Sequence, residues 1–261
     1  MKALLKALLK KNLWIYNVYF SIGSLLLRIL GVFVKVDPNL ILFVSYGGQK
    51  YDDSPKVVYE YLVKNPVSDK HKYCWAFIDP AQHPDIPNKI KIDTLSYFIT
   101  AMKSGYWITN SSASRGLNFK KKATRNILFQ HGMTALKKIG NDIQQTEKTF
   151  KLNFKENFDA IFIEGKKEKS ILMKAWGIEE STLHQTGLPR NDDLIDIKVE
   201  DVNDIKNKLG IRDNKKVILY APTFRELSRD STGKNVLEIP IDFKTWENVL
   251  GNEYVLIVTA H

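Results

Sequence analysis

Residues 40–64 read LILFVSYGGQKYDDSPKVVYEYLVK, and this stretch contains a strand, a loop and a helix in succession. It opens with a short apolar run, as in a strand that is buried on both faces of a parallel sheet. Gly47 and Gly48 follow and permit a tight turn. Ser54 suits a helix N-cap and Pro55 the first helical position, so a helix is predicted to begin there. A strand that leads into a helix in this way is the repeating unit of α/β folds.

The same alternation of short apolar runs and helical segments continues along the sequence. Strand character is found in residues 40–45, 73–78, 106–109, 126–130, 160–164, 217–221 and 255–259. Strands that alternate with helices indicate parallel sheets of the doubly wound kind. The predicted fold class is therefore α/β, built from Rossmann-type parallel sheets.

Composition places the chain among ordinary globular proteins. Of its 261 residues, 44% are hydrophobic and 26% charged, which excludes collagen-like, low-complexity and disordered chains. The single cysteine, Cys74, excludes an intrachain disulfide and a cysteine-based zinc site, and it favours a reducing compartment. Asp52 and Asp53 fit solvent-facing or helix-capping roles better than a metal site. We therefore expect neither a metal site nor a cofactor.

Positive charge is concentrated at the N-terminus. The net charge is +10, and residues 1–36 contribute +6 of it because they hold six Lys or Arg and no Asp or Glu. Residues 2–11, KALLKALLKK, repeat Lys every four positions with Leu on another face, which is typical of a basic amphipathic helix. Aromatic and aliphatic residues follow. We predict that residues 1–36 form an interfacial anchor on an anionic membrane surface.

Three other interpretations of this segment stay open. A spanning helix needs about 20 apolar residues, and the length is present, but Asn17 and Arg28 make insertion costly. A cleaved signal peptide would need small residues at a cleavage site, and residues 35–38 offer none. The third interpretation is a helical hairpin that packs on its own protein.

A charged run at residues 192–216 has few large apolar residues and is typical of a domain boundary. The two apolar runs after it make a smaller sheet than open parallel sheets usually have. We predict a membrane-associating segment at 1–36, a Rossmann-like acceptor-side domain at 37–200, and the start of an incomplete second Rossmann-like domain at 201–261.

The loops at the carboxyl ends of the strands supply the candidate site residues, because ligands of such sheets bind there. Gly47 and Gly48 allow the backbone to approach an anion at a helix N-terminus, although a tight turn requires the same residues. His131 follows the strand at 126–130 and is placed for proton exchange with a substrate, although a structural histidine fits the same position. Lys137 lies nearby in sequence and could bind phosphate.

Two further loops join a proline to an arginine. One contains Arg190, and the other contains Thr223 and Arg225 at the end of a predicted strand. A guanidinium can grip phosphate through two hydrogen bonds, and a salt-bridged domain corner is the alternative interpretation.

Four motifs occur together: YDDSPKVVYEYL at 51–62, QHGMTALKKIG at 130–140, TGLPRND at 186–192 and VILYAPTFRE at 217–226. In this order they resemble the CDP-glycerol glycerophosphotransferases and their CDP-ribitol relatives, which build teichoic acids and related capsular polymers in bacteria. The resemblance extends over residues 40–261. It implies a GT-B-like transferase with two Rossmann-type domains, peripheral on the cytoplasmic side of the cell membrane. It also implies that a further part of the donor-binding half lies beyond residue 261.

The reaction implied by this resemblance moves glycerol phosphate or ribitol phosphate from a CDP-polyol donor to a lipid-linked polymer acceptor and releases CMP. By the same resemblance, His131 is the general base that takes the proton of the attacking hydroxyl, and His261 contacts the donor phosphates. Positive charge near the transferred phosphoryl group would stabilise the transition state, because this state spreads negative charge over the phosphoryl oxygens. The residues expected to supply it are Lys137, Arg190, Thr223 and Arg225.

The histidine motif departs from the family's usual form. Where the family commonly has Trp-His-Gly-Thr-Pro, this chain has Gln130 before His131 and Met-Thr-Ala at 133–135. The polyol, the acceptor and turnover by this chain alone therefore stay open. Two other classes also stay open: a sugar-nucleotide glycosyltransferase, because GT-B folds serve many donors, and a non-catalytic membrane-bound protein that binds a polyanion. Nucleic-acid binding is not expected, because the charge lies in an apolar, aromatic terminus.

Overall fold

The computed structural model describes residues 12–132, 139, 156–212, 214–221 and 241–259. The chain divides into two compact units, Met1–Asp192 and Asp193–His261. Parallel strands and helices alternate in the first unit, and a parallel strand pair with helices is found in the second. The predicted α/β class is confirmed.

In the described part of the first unit, seven strands form one parallel sheet. They are β1 (Asp37–Val44), β2 (Lys72–Phe77), β3 (Lys89–Lys91), β4 (Ser104–Thr109), β5 (Arg125–Phe129), β6 (Ala160–Ile163) and β7 (Leu183–Gln185). Their order across the sheet is β3-β2-β1-β4-β5-β6-β7. This is the Rossmann order with one added strand, and the direction of chain progress reverses between β1 and β4.

Four α-helices accompany this sheet within the described residues: α1 (Leu13–Phe33), α2 (Asp53–Lys64), α3 (Leu95–Lys103) and α4 (Lys166–Trp176). Alternate residues of β1 point to opposite faces of the sheet, and both faces are buried. Leu42 and Val44 belong to a core cluster that α1 and α3 cover, whereas Ile41 and Phe43 pack with residues of α2. Because both faces are covered, these strands read as continuous apolar runs.

Helix α1 packs one side on the sheet and leaves the other side exposed. Arg28 Nε donates to the carbonyl oxygen of Asn118 (3.0 Å), and Ser24 Oγ accepts from the Asn118 amide (2.9 Å). The exposed apolar residues of the outer side are Trp14, Ile22, Leu25, Leu26, Ile29, Val32 and Phe33. By length and composition, Trp14–Phe33 is the one helix in the described part of the chain that could cross a membrane. One side of α1 therefore packs on its own protein, as the helical-hairpin interpretation expects for this segment.

Apart from shifts of a few residues at strand ends, the first unit differs from the sequence predictions in two edge strands and in the start of α2. Strands β3 and β7 are not among the predicted runs, because each is a three-residue strand with polar residues at an edge of the sheet. Helix α2 begins two residues earlier than predicted, with Asp52 rather than Ser54 as its N-cap. Asp52 accepts a hydrogen bond from the Asp53 amide (2.8 Å), and aspartate caps a helix as well as serine does.

The second unit contains α5 (Val199–Lys208), β8 (Lys216–Tyr220), α6 (Phe243–Leu250) and β9 (Tyr254–Val258). β8 and β9 pair in parallel, with Ile218 opposite Leu256. Each strand lies one residue before the predicted range. The domain limits after residues 36 and 200 stay a prediction.

Candidate functional site

The candidate site lies at the carboxyl edge of the first sheet, where the strand order reverses. The connection from β1 to β2 passes through α2 on one face, whereas residues that follow β4, such as Leu117 and Phe119, pack on the opposite face. Connections that leave two neighbouring strands toward opposite faces open a crevice between them, which is where ligands bind in such sheets. The loops after β1, β4 and β5 meet at this point.

Side chains after β4 hold the glycine loop that follows β1. Asn110 Oδ1 accepts from the Tyr46 amide (2.7 Å), and Ser111 Oγ accepts from the Gly47 amide (3.0 Å). The amide of Gly48 donates to the carbonyl of Ser45 (2.9 Å). Both glycine amides therefore bind within the protein and are not the free donors that an anion site would use. Contact of Gly47 and Gly48 with a phosphate stays a prediction.

The glycines are explained by the turn itself. Gly47 has a φ of +62° and Gly48 a φ of +87°, in the left-handed region that favours glycine. The carbonyl of Gly48 also accepts from the Ile78 amide (2.7 Å), so the loop after β1 lies directly against the end of β2.

His131 lies two residues after the end of β5 and is exposed. Its Nδ1 lies 2.5 Å from the backbone carbonyl oxygen of Asn110, and its ring makes a T-shaped contact with the Tyr46 ring, at 5.8 Å between centroids and 72° between planes. A carbonyl oxygen can only accept, so this hydrogen bond assigns the proton to Nδ1. Nε2 then carries the lone pair, and within the described residues Nδ1 is the ring nitrogen with a hydrogen-bond partner. This is the tautomer that a general base requires.

Arg190 contacts the residue that precedes this histidine. Its Nη1 is 3.2 Å from Asp53 Oδ2 and donates to the carbonyl of Gln130 (3.1 Å), while its Nη2 is 3.7 Å from Glu164 Oε1. The ion pair with Asp53 matches the salt-bridged alternative left open for this arginine. Phosphate binding by Arg190 stays a prediction.

Asp53 is buried rather than solvent-facing, because it pairs with Arg190 and accepts from the Tyr46 hydroxyl (2.7 Å). Burial alone would raise the pKa of this carboxyl, but hydrogen bonds from Ser54 and Tyr46 and the charge of Arg190 outweigh it and hold the pKa below its ordinary value. Burial, with the neighbouring Asp53, raises the pKa of the Tyr46 hydroxyl above its ordinary value. At neutral pH the pair is therefore a carboxylate and a protonated phenol.

Of the predicted site residues, the structure brings Gly47, Gly48, His131 and Arg190 to one edge of the sheet. The others lie outside the described residues: Lys137, Thr223, Arg225 and His261. No group of three or more His, Cys, Asp or Glu side chains is arranged for a metal within the part of the chain that the structure describes.

Three residues of this site are not among the predicted site residues: Tyr46, Asn110 and Asp53, of which Asp53 was expected only to face solvent or cap a helix. Asn110 follows a predicted strand as directly as His131 does, so the same rule applies to it. Tyr46 precedes the two glycines, and no local sequence pattern distinguishes it as a site residue. The role of Asp53 depends on a partner 137 positions away, for which a single sequence carries no signal.

Comparisons with known proteins identify the family of this chain. Residues 26–261 match the family described as CDP-glycerol:poly(glycerophosphate) glycerophosphotransferase. A teichoic acid poly(glycerol phosphate) polymerase of Staphylococcus epidermidis is 31% identical over 240 residues, covering 87% of this chain and 33% of the relative. A polymerase of the same name from Bacillus spizizenii is 30% identical over 270 residues, covering 98% of this chain and 66% of the relative.

Solved structures give the same result. The wall teichoic acid polymerase TagF is similar over 92% of this chain and 63% of its own, with a TM-score of 0.76 and 29% identity. A TagF variant soaked with CDPG is similar over 90% of this chain and 60% of its own, with a TM-score of 0.75.

The chain spans 33% and 66% of the length of the two curated relatives. Because the family match runs from residue 26 to residue 261, the chain belongs to the CDP-glycerol:poly(glycerophosphate) glycerophosphotransferase family.

Proposed function

We propose that this chain provides the acceptor side of a transferase that moves glycerol phosphate or ribitol phosphate from a CDP-polyol to a lipid-linked teichoic acid or capsular polymer, with release of CMP. Membership of the family supports this reaction, and the relatives are named for poly(glycerol phosphate) synthesis. The observation that carries the proposal is His131, an exposed imidazole whose Nδ1 binds a backbone carbonyl at the reversal point of a Rossmann-type sheet.

The reaction forms one phosphorus–oxygen bond and breaks another. The oxygen of the acceptor's terminal hydroxyl attacks the phosphorus that carries the polyol, and the bond from this phosphorus to the CMP oxygen breaks. CMP leaves with the bonding electron pair. The hydroxyl proton passes to Nε2 of His131, a transfer worth about 10²–10⁴ in rate.

Positive charge around the transferred group would stabilise its phosphoryl oxygens. Lys137, Thr223, Arg225 and His261 are the proposed contributors, with His261 on the donor phosphates. Arg190 contributes more weakly in this scheme, because Asp53 and Glu164 already neutralise its guanidinium.

A donor screen tests the reaction. The full-length protein is incubated with a lipid-linked primer and either CDP-glycerol, CDP-ribitol or a UDP-sugar, and the released nucleotide and the label on the primer are measured together. We expect CMP and labelled primer with one of the two CDP-polyols. UDP release without CMP would establish the glycosyltransferase alternative, and binding of the primer without release of either nucleotide would establish the non-catalytic one.

We also propose that α1 lies in the plane of an anionic membrane, as part of a peripheral anchor at residues 1–36. One side of the helix is bonded to the protein through Arg28 and Ser24, so this side is not available to lipid. The other side presents large apolar residues, with Val32 80% and Phe33 83% exposed. A spanning helix would require lipid or protein contacts all round, whereas an in-plane helix requires one apolar side.

The cytoplasmic side is the proposed location of this anchor. CDP-polyols are nucleotide donors of the cytoplasm, and the free thiol of Cys74 is buried in a fold without disulfides. The Lys residues of the first 11 positions would meet the anionic lipid head groups of that leaflet.

A further inference from the structure

Asp53 combines a buried charge with an unfavourable backbone conformation. Its side chain is 3% exposed, and its φ of +65° lies in the left-handed region, which residues with a side chain rarely adopt. A buried carboxylate is costly unless it is paired. Such residues persist where the surrounding structure holds them, and they cluster at functional sites.

The residues that hold Asp53 come from its own helix start, from the loop after β1 and from the loop after β7. Tyr46, after β1, donates its hydroxyl to Oδ2 (2.7 Å), and Arg190, after β7, places Nη1 3.2 Å from the same oxygen. The amide of Ser54 donates to Oδ1 (2.5 Å). Both carboxylate oxygens are therefore hydrogen-bonded.

Tyr46 and Arg190 also connect Asp53 with His131 or with the residue before it. The ring of Tyr46 makes a T-shaped contact with the imidazole. The Tyr46 amide also donates to the side-chain Oδ1 of Asn110, and the backbone carbonyl of Asn110 accepts from His131 Nδ1. Arg190 Nη1 donates to the carbonyl of Gln130, the residue directly before His131. The Asp53 carboxylate therefore holds two residues, Tyr46 and Arg190, that contact the imidazole or the residue before it.

We propose that Asp53 is a positioning residue for His131, acting through Tyr46 and Arg190 to keep the Nδ1–H tautomer and the orientation of the ring. The inference rests on the proposed function for the identity of the base. It goes beyond that function by assigning a role to a residue that the reaction itself does not involve.

A purely stabilising role for Asp53 makes a different prediction. If the carboxylate did no more than attach α2 to the loop at 189–194, its removal would lower the stability of the protein and leave the imidazole of the folded fraction unchanged. A positioning role requires the imidazole itself to change while the protein stays folded.

Nitrogen NMR of the full chain with ¹⁵N-labelled histidine separates the two roles. The resonances of His131 are identified by their loss in His131→Gln, and their shifts report the ratio of the Nδ1–H and Nε2–H tautomers. We expect Nδ1–H to dominate in the wild type. In Asp53→Asn and Tyr46→Phe we expect the ratio of Nδ1–H to Nε2–H to fall about fivefold, as for weakening one ordinary hydrogen bond.

Tyr51→Phe is the matched control. Its hydroxyl also donates to a carboxylate, Glu60 at 3.1 Å, but it belongs to a different aromatic cluster. We expect this variant to keep the wild-type tautomer ratio.

An unchanged tautomer ratio in a folded Tyr46→Phe protein would overturn the inference. If Asp53→Asn does not fold, Tyr46→Phe alone tests the positioning role, because it removes only a hydroxyl. The NMR measurement needs no turnover. Failure of the protein to release any nucleotide would therefore count against the proposed function and leave the NMR test unaffected. If the protein does turn over, Asp53→Asn should lower kcat about 10- to 100-fold with KM little changed.

Discussion

Gly48 is a position in the loop after β1 where a larger side chain would be strained. A Cβ there would lie 3.2 Å from the carbonyl oxygen of Ala76 and from the amide nitrogen of Ile78, and φ is +87°. Gly48→Ala should therefore lower the free energy of unfolding by about 2–5 kcal/mol, because backbone strain of about 1–2 kcal/mol adds to overpacking of about 1–3 kcal/mol.

Gly116→Ala separates the two causes. Gly116 has a similar φ of +74°, but nothing lies within 4 Å of its Cβ position. This control should lose about 1–2 kcal/mol, from backbone strain alone. Urea unfolding of both variants measures the difference, and equal losses would show that the close approach to the end of β2 carries no cost.

Asp53 links the site to stability in acid. Its pKa is below the ordinary value in the folded protein, because hydrogen bonds and Arg190 outweigh burial. A carboxyl of this kind stabilises the fold above its unfolded pKa of about 3.9, and the contribution is lost as the pH falls through the lower folded value. Asp53→Asn should cost about 1–3 kcal/mol at pH 7, and its difference from the wild type should shrink below about pH 4. Urea unfolding at several pH values measures this, and a difference that stays constant with pH would contradict it.

The sequence predicts single residues of the site when they follow a strand, and misses those defined by long-range pairing. His131 is found because it follows an apolar run directly. The contact between Asp53 and Arg190 joins positions 137 apart, and no local pattern of charge or periodicity records it.

Among the elements, the strands buried on both faces are predictable and the edge strands are not. β1, β4 and β5 lie inside the sheet and consist of apolar runs, because helices or loops cover both faces. β3 and β7 lie at the edges, and their sequences, Lys-Ile-Lys and Leu-His-Gln, keep polar side chains that suit an exposed edge.

Helix α1 is the element whose outer side should bind lipid. Leu26 and Val32 are 61% and 80% exposed, so replacing both with Gln should weaken binding to anionic vesicles at least about tenfold, since each apolar side chain contributes about 1.5–3 kcal/mol when buried. Co-sedimentation with vesicles measures the affinity. Substitutions are preferable to deletion of residues 1–36, because the inner side of α1 covers the core.

Val63→Gln with Val67→Gln is the control for this element. These residues are 52% and 75% exposed, outside α1. They should leave vesicle binding unchanged. Equal weakening by both pairs, or by neither, would reject the in-plane anchor.

At the level of the whole molecule, the first unit presents the proposed base, His131, and the residues that contact it at one crevice. The Rossmann order places the ends of β1, β4 and β5 side by side, so His131, Asn110 and Tyr46 meet although they are distant in sequence. Family membership supports the proposed transfer of a polyol phosphate, and the proposal places this reaction at the crevice. The chemistry of the proposal therefore depends on one imidazole.

The dependence of the reaction on His131 is measured by the rate of CMP release. The full-length wild type, His131→Gln and His184→Gln are each incubated with the active CDP-polyol and a lipid-linked primer. His184 is the matched control, since it is an exposed histidine in β7 of the same sheet whose ring lies against Phe162. We predict a loss of about 100-fold or more for His131→Gln, from removal of a general base, and wild-type release for His184→Gln. A His131→Gln protein that stays folded and releases CMP at the wild-type rate would contradict the assignment of His131 as the base.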